Sequence, residues 1–180
     1  RGDWIVALDS DDILADGFLD AVARAIAEHP EATAFTGAYK EFGARESEWR
    51  LTRFLPDRLK ERCNILCCAP FRRSLWEATG GYDPSHPWGG EDWHFWLKSL
   101  SVGLRLVSLP VPMLHYRIHE SGGMLSAMEQ HAEDSRAMLR CMLPDLYSQQ
   151  DILEAHVRLL HMDPATSQAL VRKTAAHPDL

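Results

Sequence analysis

An apolar run, Trp4 to Leu8, stops abruptly at Asp9, Ser10, Asp11 and Asp12, which predicts a strand that delivers carboxylates to the end of a sheet. Behind it, Phe18, Val22 and Ile26 recur at four-residue spacing, predicting a helix from about Gly17 to Glu28, capped by Asp16 and ended by His29 and Pro30. Ala32 to Phe42, rich in Thr, Phe and Tyr, reads as a strand, and the charged stretch Glu46 to Arg53 as a partly exposed hairpin arm or lid. Ile65 to Phe71 predicts a further strand and Arg73 to Thr79 a short helix stopped by Gly80 and Gly81. Asp83, Pro84 and Pro87 then mark a loop.

From Glu91 onward, Trp93, Trp96, Leu97 and Leu100 fall on one face of a helix that Gly103 closes. Leu104 to Leu109 and Val111 to Ile118 read as two strands punctuated by Pro110 and Pro112. Ser121 to Met142 predicts a long helix with Met124, Met128, Ala132 and Met138 along one side, and short helices broken by Pro144 and Pro164 follow. Strands alternating with helices indicate an α/β layered domain.

At 180 residues the chain is long enough for one cored domain without covalent staples. Its formal net charge of −7 argues against nucleic acid as a partner, because phosphate backbones call for a clustered Lys/Arg face. An acidic protein still holds an anionic nucleotide if a divalent cation sits between the two. Cys63, Cys67, Cys68 and Cys141 lack paired C-x-x-C spacing and read as reduced, buried thiols in a cytoplasmic protein. No run of eighteen apolar residues and no charged-then-apolar leader appears, although peripheral contact with the inner face of a membrane stays open.

Three constellations carry candidate chemistry. Asp9 and Asp11 would face one cation if strand geometry persisted through Ser10; the structural alternative is a helix cap with solvated neighbours. Trp88, Gly89, Gly90, Glu91 and Asp92 bring two acids to the first turn of a helix, where the dipole favours an ionised Asp92 able to accept a proton. Acids are ordinary at helix starts, but a cap needs neither two glycines nor an aromatic platform. His115, Arg117 and His119 alternate with Leu114, Tyr116 and Ile118, so a strand sets all three on one face, as a metal and phosphate site or as an ordinary polar face.

Four stretches together resemble the family 2 inverting glycosyltransferases: Gly2 to Asp12 with its D-x-D, Gly80-Gly81-Tyr82-Asp83, Trp88-Gly89-Gly90-Glu91-Asp92, and Tyr116-Arg117-Ile118-His119. The resemblance implies an incomplete GT-A fold, a mixed sheet flanked by helices, with residues 1–126 as the catalytic portion and 127–180 as a C-terminal helical extension. It implies Asp92 as general base, Asp9, Asp11 and Arg117 on a nucleotide-diphosphate sugar donor, and Trp88, Gly90 and Glu91 lining the acceptor glycan or other hydroxyl acceptor. A divalent cation, Mn2+ or Mg2+, would sit on Asp11 and His119, with His115 as the alternative ligand. In that family about ninety residues that hold the nucleoside precede the D-x-D strand, so a chain starting at Arg1 is expected to be a fragment with weak donor binding and little activity. The D-x-D alone also fits a haloacid-dehalogenase-type phosphohydrolase, with Ile13 against it, and the tryptophans alone fit a non-catalytic glycan-binding module.

Overall fold

In the computed structural model, residues 2–50, 54–120 and 129–162 are described. Six strands, β1 (Trp4–Ile5), β2 (Ile13–Leu14), β3 (Ala34–Gly43), β4 (Ser47–Arg50), β5 (Phe71–Arg72) and β6 (Leu106–Ile118), form one sheet. The order is β1-β5-β3-β6-β2, with β4 hairpinned onto β3. β3 and β6 run parallel and the other described ladders are antiparallel, so the sheet is mixed as expected. Ala34, Phe35, Thr36 and Ala38 of β3 are buried, in keeping with a central strand covered on both faces.

Helix α1 (Phe18–Glu28) packs Phe18, Val22 and Ala25 inward. The expected Asp16 cap is absent: Gly17 occupies the N-cap with φ 72 and no side chain bonds the first turn. α2 (Pro56–Glu61), unforeseen because its six residues span too few turns for periodicity to show, is tied to α4 (Glu91–Ser101) by the Trp93 indole N–H, which donates to the Leu59 carbonyl at 2.6 Å. Phe95, Trp96 and Leu97 of α4 are fully buried, and Phe95 and Trp96 pack against Phe71 of β5. α3 (Arg73–Thr79) matches its expected span and ends at Gly80. The adjoining Gly81 has φ +73, and a Cβ there would lie 2.5 Å from the Trp76 ring, so the motif glycine answers a packing need.

Three strand expectations are corrected. The Trp4–Leu8 strand pairs only over Trp4–Ile5, since β5 offers only Arg72 and Phe71 as partners. Residues 65–70 form no strand; of the stretch expected to run from Ile65 only Phe71 enters the sheet, with Arg72. Pro110 and Pro112 do not split β6, because the parallel ladder to β3 absorbs them as register shifts between Thr36 and Tyr39. A bulge tolerates the missing amide donors.

Of the long helix expected over 121–142, α5 (Ala132–Met142) is described, while 121–128, with Met124, Met128 and the expected domain boundary, lies outside the described residues. After a single 3-10 turn at Pro144–Leu146, α6 (Gln149–Leu160) starts at a Ser148/Asp151 capping box. α5 and α6 bury Ala137, Met138, Cys141, Ala155 and Leu159 between them. The short helices expected beyond Pro164 also lie outside the described residues.

Candidate active site

The D-x-D segment leaves the sheet as a turn, in which the Asp12 amide donates to the Asp9 carbonyl at 3.2 Å, before β2 resumes at Ile13. Asp9 and Asp11 therefore do not share a face through strand alternation, as had been expected. A turn sends each acid to a different neighbour.

Asp11 points to the end of β6. Its Oδ2 lies 2.7 Å from His119 Nε2, and its carbonyl accepts from Arg117 Nε at 3.0 Å. The His119 contact is the main reason the Asp11 carboxyl sits below its usual range. Asp12 turns inward: it is buried, its Oδ1 accepts from the Arg117 backbone amide at 2.8 Å, and the Cys67 thiol approaches its Oδ2 at 3.9 Å. Burial raises the Asp12 carboxyl, and the Asp11 and Asp9 charges add to the rise. Ligand atoms of Asp9, Asp12 and Cys67 all lie within 4.8 Å of one another, so two compact donor sets flank one turn.

The three polar residues of the β6 end divide. Arg117 holds the turn through Asp11 and lays its guanidinium 4.4 Å from the Phe42 ring centroid, while His119 lies one residue past the strand. His115 sits opposite Ile13 in one ladder and Lys40 in the other, with no hydrogen bond to the acids among the described residues.

The second acidic segment enters through Gly89 and Gly90, both left-handed at φ 80 and φ 93, with Gly90 as the N-cap of α4. A Cβ on Gly90 would meet nothing within 4 Å, so backbone conformation alone calls for glycine there. Asp92 Oδ1 accepts from the Trp93 amide at 2.7 Å, and Cys63 Sγ stands 4.0 Å from its Oδ2. Burial pushes the Asp92 carboxyl up to about 6, with further contributions from Glu91 and Asp9. That rise from 3.8 corresponds to about 3 kcal/mol, against the few tenths to about one that a helix terminus supplies, so burial outweighs the dipole expected to keep this acid strongly ionised. The group remains mostly ionised at neutral pH and is a stronger base than an ordinary aspartate.

Both segments act on Cys67: after burial, the charges of Asp9, Asp12 and Asp92 raise its thiol. The four cysteines are free, and Cys63 and Cys67 line the acids as neutral thiols. Their position could not be read from spacing, because it depends on how the 63–68 loop crosses the sheet end. Trp88 is half-buried and stacks on His131, a residue that no sequence signal linked to the site.

A family model described as glycosyltransferase-like family 2 matches residues 1–148. The chain belongs to that family. Membership decides between the glycosyltransferase and the phosphohydrolase that a D-x-D alone allows. A curated relative, an uncharacterized glycosyltransferase of Haemophilus influenzae, is 29% identical over 133 residues, covering 69% of this chain and 47% of the relative. A crystal structure of S. aureus TarS 1-349 in complex with UDP-GlcNAc superposes with a TM-score of 0.62 at 18% identity, covering 94% of this chain and 46% of that one. The family 2 chain thus spans about half the length of these two proteins and shares the fold of the second. Among its described residues no helix is long and apolar enough to cross a membrane.

Proposed function

We propose that this family 2 chain carries the catalytic portion of a metal-dependent, inverting glycosyltransferase acting on a nucleotide-diphosphate sugar and a hydroxyl acceptor. The observation that carries the reading is the pairing of Asp11 with His119 at 2.7 Å; the charge of Asp9, from the same turn, also acts on the Asp92 carboxyl. The UDP-GlcNAc bound by the TarS neighbour supports a nucleotide sugar as donor.

An exposed carboxylate and an imidazole this close form a ligand pair that Mn2+ or Mg2+ can share, with water and donor oxygens filling the rest of the shell. A cation bound there supplies counter-charge to the departing diphosphate. The chain's own residues do the rest. Asp92 accepts the acceptor hydroxyl's proton as that oxygen bonds to the anomeric carbon from the face opposite the diphosphate. The bond to the diphosphate breaks with its electron pair, and configuration inverts. The Trp93 amide and the Cys63 thiol hold the Asp92 carboxyl in place, and Trp88, Gly90 and Glu91 border the acceptor.

Release of nucleoside diphosphate from a panel of nucleotide sugars, with and without Mn2+, tests the reading. Metal-dependent release that Asp11→Asn and Asp92→Asn both abolish supports it. Release indifferent to both substitutions overturns it.

A further inference from the structure

Among the described residues, the C-terminal helices meet the Trp88–Asp92 segment in a ring contact. The His131 imidazole lies flat on the Trp88 indole, with centroids 4.5 Å and planes 10° apart. Its Nδ1 stands 3.4 Å from Asp134 Oδ2, and Asp134 Oδ1 accepts from Arg158 Nε at 2.7 Å. Arg158 of α6 thus orients Asp134 of α5, Asp134 orients the imidazole, and the imidazole orients the indole. The anchoring of α5 does not depend on this chain of contacts: Arg136 donates to the Glu61 carbonyl at 3.2 Å, Arg140 pairs with the Glu61 carboxylate at 3.8 Å, and Tyr147 Oη donates to the Lys60 carbonyl at 3.3 Å.

Trp76, Trp93 and Trp96 belong to the main hydrophobic cluster and Trp4 to a smaller one, whereas no cluster of described residues includes Trp49, which stacks on Tyr39 in the β3–β4 hairpin, or Trp88. Trp88 is a half-buried indole two residues before the helix N-cap that presents Glu91 and Asp92, and among the described residues its ring contact is with His131, on one face. A pyranose ring suits the opposite face, since its C–H face is apolar and its hydroxyl rim is polar, matching an aromatic face beside carboxylates.

We propose that His131 is a positioning residue that backs Trp88, and that the acceptor is a pyranoside laid on the indole face turned away from His131. This rests on the glycosyltransferase reading of the Trp88–Asp92 segment. With the imidazole in place, Trp88 is ordered before the sugar arrives; without it, binding has to order the side chain, which weakens affinity by about three- to tenfold.

The test is an NMR titration of the 180-residue chain with methyl β-D-glucopyranoside, read on the indole N–H and on the imidazole C–H protons. The expected results are an upfield, ring-current-shifted His131 signal that Trp88→Leu removes, glycoside binding that Trp88→Leu abolishes, about three- to tenfold weaker binding in His131→Ala, and recovery in His131→Phe, which keeps a flat ring. Loss in Trp88→Leu with unchanged affinity in His131→Ala overturns the positioning role and leaves the glycosyltransferase reading intact. Failure of the glycoside to perturb Trp88 overturns the pyranoside platform, again without bearing on the Asp11 and Asp92 assays. Thermal melts of His131→Ala and His131→Phe separate misfolding from a local effect.

Discussion

His119 Nε2 lies 2.7 Å from Asp11 Oδ2, although 108 residues separate the two in the chain. The contact closes the end of β6 over the turn after β1, and both side chains keep substantial exposure, 47% and 43%. In water such a pair contributes little to stability, because solvent screens it. On the proposed function the pair serves a shared cation rather than the fold.

Loss of either member should therefore weaken cation binding more than it weakens the fold. Asp11→Asn and His119→Ala are each expected to lower Mn2+ affinity by about tenfold or more, measured as free Mn2+ by electron paramagnetic resonance. Melting temperatures should move little. Unchanged Mn2+ affinity in both variants would remove the metal from this pair.

Asp92→Asn is expected to reduce turnover by about a hundred- to ten-thousand-fold while donor affinity stays near that of the parent enzyme. Single-turnover transfer and calorimetry on the same preparation separate the two effects. A variant with near-normal turnover cannot be reconciled with Asp92 as the base.

The same substitution should stabilise the protein, in a pH-dependent way. The folded carboxyl of Asp92 is raised from 3.8 to about 6, so the native state binds its proton more tightly than the unfolded chain does. Its contribution is most favourable below 3.8 and is lost as pH climbs to about 6, leaving a cost on the order of 2–3 kcal/mol at neutral pH. Asp92→Asn should raise Tm by about 4–10 °C at pH 7.5 and by progressively less as pH drops from 6 towards 4. A pH-independent Tm difference would show that burial does not perturb this acid. In the parent enzyme the acid limb of the rate profile should fall near pH 6.

Gly81→Ala and Gly90→Ala separate packing from conformation. Both positions are left-handed, which costs a residue with a Cβ about 1–2 kcal/mol. At Gly81 the added Cβ also meets the Trp76 ring, adding about 1–3 kcal/mol of overpacking, while at Gly90 it meets nothing within 4 Å. Urea midpoints should rank parent, then Gly90→Ala, then Gly81→Ala. Activity should suffer more at Gly90, which presents Glu91 and Asp92. Equal midpoints for the two variants would contradict the Trp76 contact.

Local pattern was enough for the elements whose cause is local. Arg73–Thr79 and the helix from Glu91 follow from residues three and four apart together with the glycines that bound them, and the β3–β4 hairpin from a Thr-, Phe- and Tyr-rich run with a charged stretch behind it. The family was also legible, because its motifs are short and contiguous. Packing decided everything that depends on two distant segments meeting. It turned Asp12 inward to Cys67 and Asp11 outward to His119, set the Cys63 thiol against Asp92, and set His131 against Trp88. It also raised the Asp92 carboxyl, leaving it ionised at neutral pH as expected but a stronger base: helix position is written in the order of residues, but desolvation depends on what surrounds a carboxyl once the chain is folded, and here it is the larger effect.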